Sequence, residues 1–108
     1  MQDKGFTEKD WKLFRSKIAG WQENYMAGLL REYMEILNED TNPSDRFWKL
    51  NDRLKEDRKK TGVVVDMRRS RMEYDLLELI YEGAISLEDL EGFSEGLRER
   101  IRFMVERY

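Results

Sequence analysis

One proline, Pro43, stands in 108 residues, and it falls where a helix can begin. Proline is the residue that most strongly breaks helices. A chain almost free of it, with little period-two alternation, has long stretches open to helix and little to build a sheet from. Start and stop signals then divide it. Phe6-Thr7-Glu8-Lys9-Asp10-Trp11 is a helix start: Thr7 as cap, Asp10 at the third helical position in place of the usual Glu or Gln, and Phe6 and Trp11 at the staple positions. Ile85-Ser86-Leu87-Glu88-Asp89-Leu90 repeats the pattern with Ser86 and Asp89. Asn42-Pro43-Ser44-Asp45 offers a cap, a first-turn proline and an acid facing the helix dipole.

Between these marks apolar residues recur at three- and four-residue spacing. Trp11, Phe14, Ile18 and Trp21 form one run, and Ala19-Gly20 predicts a bend or break within it. Tyr25, Met26, Leu29, Leu30, Tyr33, Met34, Ile36 and Leu37 follow, covering more than one stripe, as a helix touching two neighbours would. Phe47, Leu50 and Leu54 make the next stripe with Trp48 beside it, closed by Arg58-Lys59-Lys60 and Thr61-Gly62. Val63-Val64-Val65 reads either as an extended linker or as the buried first turn of a helix reaching Glu82. In that helix Val65, Met72, Leu76, Leu79 and Ile80 make one apolar arc and Met67, Tyr74, Leu77 and Tyr81 a second. Arg68, Arg71, Asp75, Glu78 and Glu82 share a polar strip. Gly83 and Gly92-Phe93-Ser94 mark joints, and Leu97, Ile101, Met104 and Val105 place a last helix. The expectation is a single all-α domain over residues 1–108, a compact bundle of four to five helices. Its core is expected around Trp11, Phe14, Trp21, Tyr25, Phe47, Leu50, Met72, Leu76, Leu79 and Ile101.

Composition narrows the chemistry. Charged residues make up 40% of the chain against a usual ~25%, so the surface is densely charged and the core lean. Thirteen aromatics still supply large buried areas, and disorder is not expected. With no Cys there is no disulfide, thiolate metal site or cysteine nucleophile. With no His the commonest general base and zinc ligand are missing. Ser16, Ser44, Ser70, Ser86 and Ser94 lack a glycine elbow, and no loop resembles a phosphate cradle. A calcium loop centred on Gly83 would need an oxygen ligand at Ile80. No enzyme, cofactor or metal is therefore expected. No apolar run of ~18 residues crosses a membrane, and the first five residues lack the apolar segment of a secretory leader, so a cytoplasmic protein is expected.

Charge is unevenly distributed. Residues 1–45 hold 6 basic and 9 acidic side chains, residues 46–71 hold 10 and 4, and residues 72–108 hold 4 and 10. Arg53, Lys55, Arg58, Lys59, Lys60, Arg68, Arg69 and Arg71 are the candidate partner-binding residues. Internal pairing, as in Arg69–Glu73 and Arg71–Asp75, would instead consume part of this charge, leaving Lys59 and Lys60 free at a helix end. A protein partner is expected first. A DNA- or RNA-associated regulator is the alternative, acting through residues 53–71 or through a helix-turn-helix-like hairpin. In that hairpin Leu87–Glu91 precede Gly92-Phe93, and Ser94–Arg107 present Arg98, Arg100 and Arg102. Two helices apolar on both sides admit a homodimer under either reading.

Thr7 to Arg15, Gly20-Trp21-Gln22-Glu23, Asn42 to Trp48, Ile85 to Leu90 and Phe93-Ser94 together resemble a group of small helical proteins of Firmicutes. Many of these lie near mobile elements, and some carry a "multidrug transporter" label that the absent spanning segment contradicts. The resemblance covers most of the chain and carries no active site. It implies a coherent single domain and a mobile-element context, not a mechanism. The missing catalytic residues, segregated charge and many aromatics lead to the expectation of a mobile-element accessory or inhibitor, such as one blocking a host nuclease.

Overall fold

The computed structural model describes residues 6–107, and all of its regular structure is helical. Four α-helices appear among the described residues: α1 (Glu8–Leu37), α2 (Pro43–Asp57), α3 (Met72–Tyr81) and α4 (Glu95–Arg107). Short 3-10 turns at Arg69–Arg71 and Leu87–Leu90 lead into α3 and α4.

Helix α1 is the spine. At 1.5 Å per residue its 30 residues span about 45 Å, and the molecule measures 61 × 26 × 18 Å. The Thr7 amide donates to Asp10 at 2.9 Å and the Asp10 amide donates back to the Thr7 hydroxyl at 3.0 Å, closing the expected capping box. The break expected at Gly20 is absent, and the helix runs through it. The roughly 1 kcal/mol cost of one helical glycine is outweighed by the packing on either side. Below Gly20, Trp11, Phe14 and Ile18 enter one core; above it, Leu29, Tyr33 and Ile36 enter another.

The first core joins the lower half of α1 to Met72, Leu76 and Leu79 of α3, to Ile85, Leu90 and Phe93 of the joints, and to Leu97 and Ile101 of α4. Its aromatic side is a chain of rings, Trp11–Phe14–Trp21–Phe93, with centroids 6.1 to 6.4 Å apart. Gly83 and Gly92 turn the chain at φ of 81° and 98°, in the region open to glycine, so both joints fall where expected. At Ser86 the backbone N–H and the hydroxyl both donate to the Asp89 carboxylate.

The second core is small. Leu29, Tyr33 and Ile36 of α1 pack with half-buried Tyr25, Leu50 and Val63, and α2 runs antiparallel to α1 above the first body. Three expectations change here. Phe47 is 64% exposed rather than in the core, because α2 turns only its Leu50 side to α1 and no further element among the described residues covers the rest. Asn42 sits at the cap of α2 but its side chain makes no capping bond, so Pro43 carries that start. Of the two readings of Val63-Val64-Val65 the linker holds, over residues 63–68, and what changes is the helix start, which falls at Met72 rather than Val65. Of the second apolar arc, Met67 of the linker and Tyr74 and Tyr81 of α3 are exposed, while Leu77 packs against the first core.

The base of the α1–α2 hairpin is fixed to the first body by Glu82, which accepts the Thr61 and Gly62 amides at 2.8 and 2.9 Å. Gln22 donates to the Thr61 carbonyl at 3.1 Å. Gly62 lies flat against Tyr25, and a Cβ there would fall far inside contact distance of the ring. Gly62→Ala is expected to cost about 2 kcal/mol in urea unfolding, since backbone and ring must separate. Gly20→Ala, with open space around it, is expected to stabilise by a few tenths to 1 kcal/mol.

Candidate functional site: an apolar groove on the helical hairpin

The two seams of the hairpin differ in chemistry. Helical spacing puts Glu32, Arg53 and Lys49 on one side. There Arg53 pairs with Glu32 at 2.6 Å and with Asp57 at 3.3 Å, and Lys49 pairs with Glu39 at 2.6 Å. Between the helices the Tyr33 hydroxyl donates to buried Asp57 at 2.7 Å. Burial, together with that bond, pushes the Tyr33 phenol up to about 12, so it remains a donor throughout the physiological range. The Arg53 guanidinium lies 5.6 Å over the Tyr33 ring. Arg46 donates to the Leu37 carbonyl at 2.9 Å and closes the tip.

The other seam is open and apolar. Met26, Leu29, Leu30 and Tyr33 from α1 meet Leu54, Asp57 and Arg58 from the end of α2, with Val63 at the base, around a groove of about 210 Å³. Leu30 is 60% exposed and Leu54 44%. Leu37 lies seven residues from Leu30, and Phe47 seven from Leu54, so both continue this side toward the tip. Both are exposed, and Trp48 packs edge-on against Phe47 at 5.0 Å, widening the tip. Met34, also 60% exposed, flanks Leu30 and Leu37. Scattered exposed apolar residues are ordinary; these instead lie in a run along one seam of the hairpin.

The basic segment is not one patch. Arg53 meets Glu32 near one end of α1, and Arg69 meets Glu8 at the other, at 2.8 and 3.1 Å. Those acids are 24 residues apart on one helix, about 36 Å along its axis. Arg69 also covers the Trp11 ring at 5.5 Å, so the expected Arg69–Glu73 pair is replaced, and Glu73 takes Arg100 at 3.3 Å. Arg68 pairs with Asp66 at 2.8 Å, and Arg71 reaches Asp75 at 3.9 Å as expected while lying 4.9 Å over the Tyr74 ring. Lys55 and Arg58 are exposed at the end of α2, and Lys60 is half-buried there. Among the described residues these three make no ion pair, and Lys59, 74% exposed, makes only a 3.9 Å contact with Glu56. Lys59 and Lys60 thus escape short carboxylate contacts, as expected. The part of the segment without a short ion pair among the described residues is Lys55, Arg58, Lys59 and Lys60, beside the groove.

The C-terminal hairpin departs from a helix-turn-helix: its first limb is the four-residue turn Leu87–Leu90. Arg100 is engaged by Glu73, and Arg98 and Arg102 share their pocket with Glu88 and Glu91. Among the described residues no three metal-ligating side chains converge. Sequence reasoning names the basic side chains and misses the groove. The signal for it is the excess of apolar positions between Met26 and Leu37, which the spacing assigns to two neighbours. The described structure supplies one.

No family model, no curated protein and no solved structure matches the chain.

Proposed function

We propose that the chain is a non-enzymatic binding protein that takes up an apolar helical segment of a partner protein in the seam of its α1–α2 hairpin. The single observation that carries this is the one-sided exposure of Leu30, Met34, Leu37, Phe47 and Leu54, with half-buried Met26 at the base, opposite a seam closed by ion pairs. A helix laid into such a groove replaces water on both apolar surfaces, the usual driving force of helix-in-groove recognition. Arg58 on the groove wall, with Lys55 and Lys59 beside it, favours a segment carrying acidic side chains next to its apolar stripe.

The test is a heteronuclear NMR titration with a synthetic amphipathic helix bearing leucines at positions i, i+4 and i+7 and flanking glutamates. Shifts are expected at Leu30, Leu54, Arg58 and Val63, and Leu30→Asp is expected to weaken binding at least tenfold. A peptide that perturbs none of these residues would overturn the reading. Shifts produced instead by a short DNA duplex, and lost with added salt, would move the protein to the nucleic-acid class.

A further inference from the structure

We infer that the partner segment seated on this groove is the hairpin tip of a second copy of the chain, the two hairpins packing antiparallel as a four-helix bundle. The inference rests on reading the groove as a docking surface, and it names the occupant. Three observations carry it.

The first is charge. The tip, residues 35–46, holds Glu35, Glu39, Asp40 and Asp45 against Arg46, which turns back onto the Leu37 carbonyl, and Lys49 beyond it, which pairs with Glu39, so the tip remains acidic. The base of α2, residues 55–60, holds Lys55, Arg58, Lys59 and Lys60 against Glu56 and the buried Asp57. A two-fold axis across the hairpin, midway between base and tip, sets the acidic tip of each copy on the basic base of the other, twice. A parallel arrangement would set like on like.

The second is apolar chemistry. The groove wants apolar side chains with acids beside them, and the tip presents Leu37 and Phe47 with Trp48 at the edge, among those four acids. The chain therefore carries both the groove and the segment that fits it.

The third is area and shape. The face runs about 17 Å along each helix, from Met26 to Leu37 and from Phe47 to Arg58, and about 20 Å across the pair, so with side-chain relief it offers on the order of 450–600 Å² per copy. The two copies together would bury about 1,000 Å², the lower end of what a specific dimer buries. A globular chain of this length has a radius of gyration of about 13 Å. This one measures 16.8 Å, with the hairpin standing off the first body. Closing the bundle gives α1 the second neighbour that its apolar excess between Met26 and Leu37 calls for.

Sedimentation equilibrium from about 10 µM to about 0.5 mM reads this directly. The expected result is a reversible monomer–dimer equilibrium with twice the 13.1 kDa chain mass at the upper end. Leu30→Asp, an exposed position whose change leaves the fold intact, is expected to raise the dimer Kd at least tenfold. Lys55→Glu with Lys59→Glu is expected to raise it about tenfold at low salt, and adding Glu35→Lys with Asp40→Lys should restore it. A monomer at every concentration overturns the inference, as does a dimer that ignores Leu30→Asp or a charge swap that restores nothing. The acidic amphipathic peptide then separates the two failures. A monomer that binds it keeps the docking surface and loses the self-pairing; a monomer that ignores it loses both.

Discussion

Asp10→Ala should destabilise the protein by about 2–4 kcal/mol, a large share of a small domain's stability. The side chain is 1% exposed and accepts from three donors. The Thr7 amide reaches it at 2.9 Å, the Ser94 amide at 2.7 Å and the Ser94 hydroxyl at 2.6 Å. One carboxylate thus caps the start of α1 and holds the start of α4, 84 residues away. Alanine removes a capping interaction worth about 1 kcal/mol and strands the Ser94 donors beside the core at about 1–3 kcal/mol more. Burial alone would raise the Asp10 carboxyl; the bonds from Ser94 and Thr7 outweigh it and hold the group below its usual range. The resulting stability is present above about pH 4 and is lost as acid protonates the depressed group. Urea midpoints of the wild type, Asp10→Ala, Ser94→Ala and the double variant should give a coupling of at least about 1 kcal/mol. Additive losses would show the two sites to be independent.

The structure shows which parts of such a chain are local. Thr7 with Asp10 and Ser86 with Asp89 lie within one helical turn, so their cap signals are legible from neighbouring residues alone. Gly83 and Gly92 are likewise readable as joints because a positive φ is a property of one residue. What connects distant residues is not written locally: nothing around Asp10 points to Ser94, and nothing around Arg69 points to Glu8. Gly20 misleads because its local cost is set against packing gained far along α1. Phe47 misleads in the opposite way. Its spacing with Leu50 and Leu54 marks a packing face, and α1 covers only the Leu50 edge of it. The open groove and the misplaced core residue are therefore the same fact, an apolar face of the hairpin that α1 covers along one edge only.

Asp75→Asn should stabilise the protein at pH 8 by about 2 kcal/mol, reversing the usual sign of a core substitution. Helical spacing sets Asp75 on a polar strip with Arg71 and Glu78, yet it is 3% exposed. Its Oδ1 sits 3.9 Å from Arg71, too far for a hydrogen bond, and its Oδ2 is buried with no partner among the described residues. Burial pushes its carboxyl up to about 6; Arg71 opposes this, while Asp66 of the linker and Glu78 on the same helix add to it. The native state therefore binds the Asp75 proton more tightly than the unfolded chain, whose aspartates titrate near about 3.9. Stability from this group is greatest below about pH 4 and falls as pH rises through about 6. The full difference above that is about 3 kcal/mol, since each pH unit separating the folded and unfolded titrations is worth about 1.4 kcal/mol. An amide removes the charge but still leaves polar atoms to desolvate, which lowers the expected gain to about 2 kcal/mol. The gain should fall to about half at pH 5 and nearly vanish at pH 4, where the wild-type carboxyl is neutral in the folded state and about half neutral in the unfolded chain. Urea unfolding of the wild type and Asp75→Asn at those three pH values checks this. A variant no more stable than wild type at pH 8 would mean that Arg71 compensates the buried charge across 3.9 Å, and that the packing of α3 tolerates an ionised aspartate.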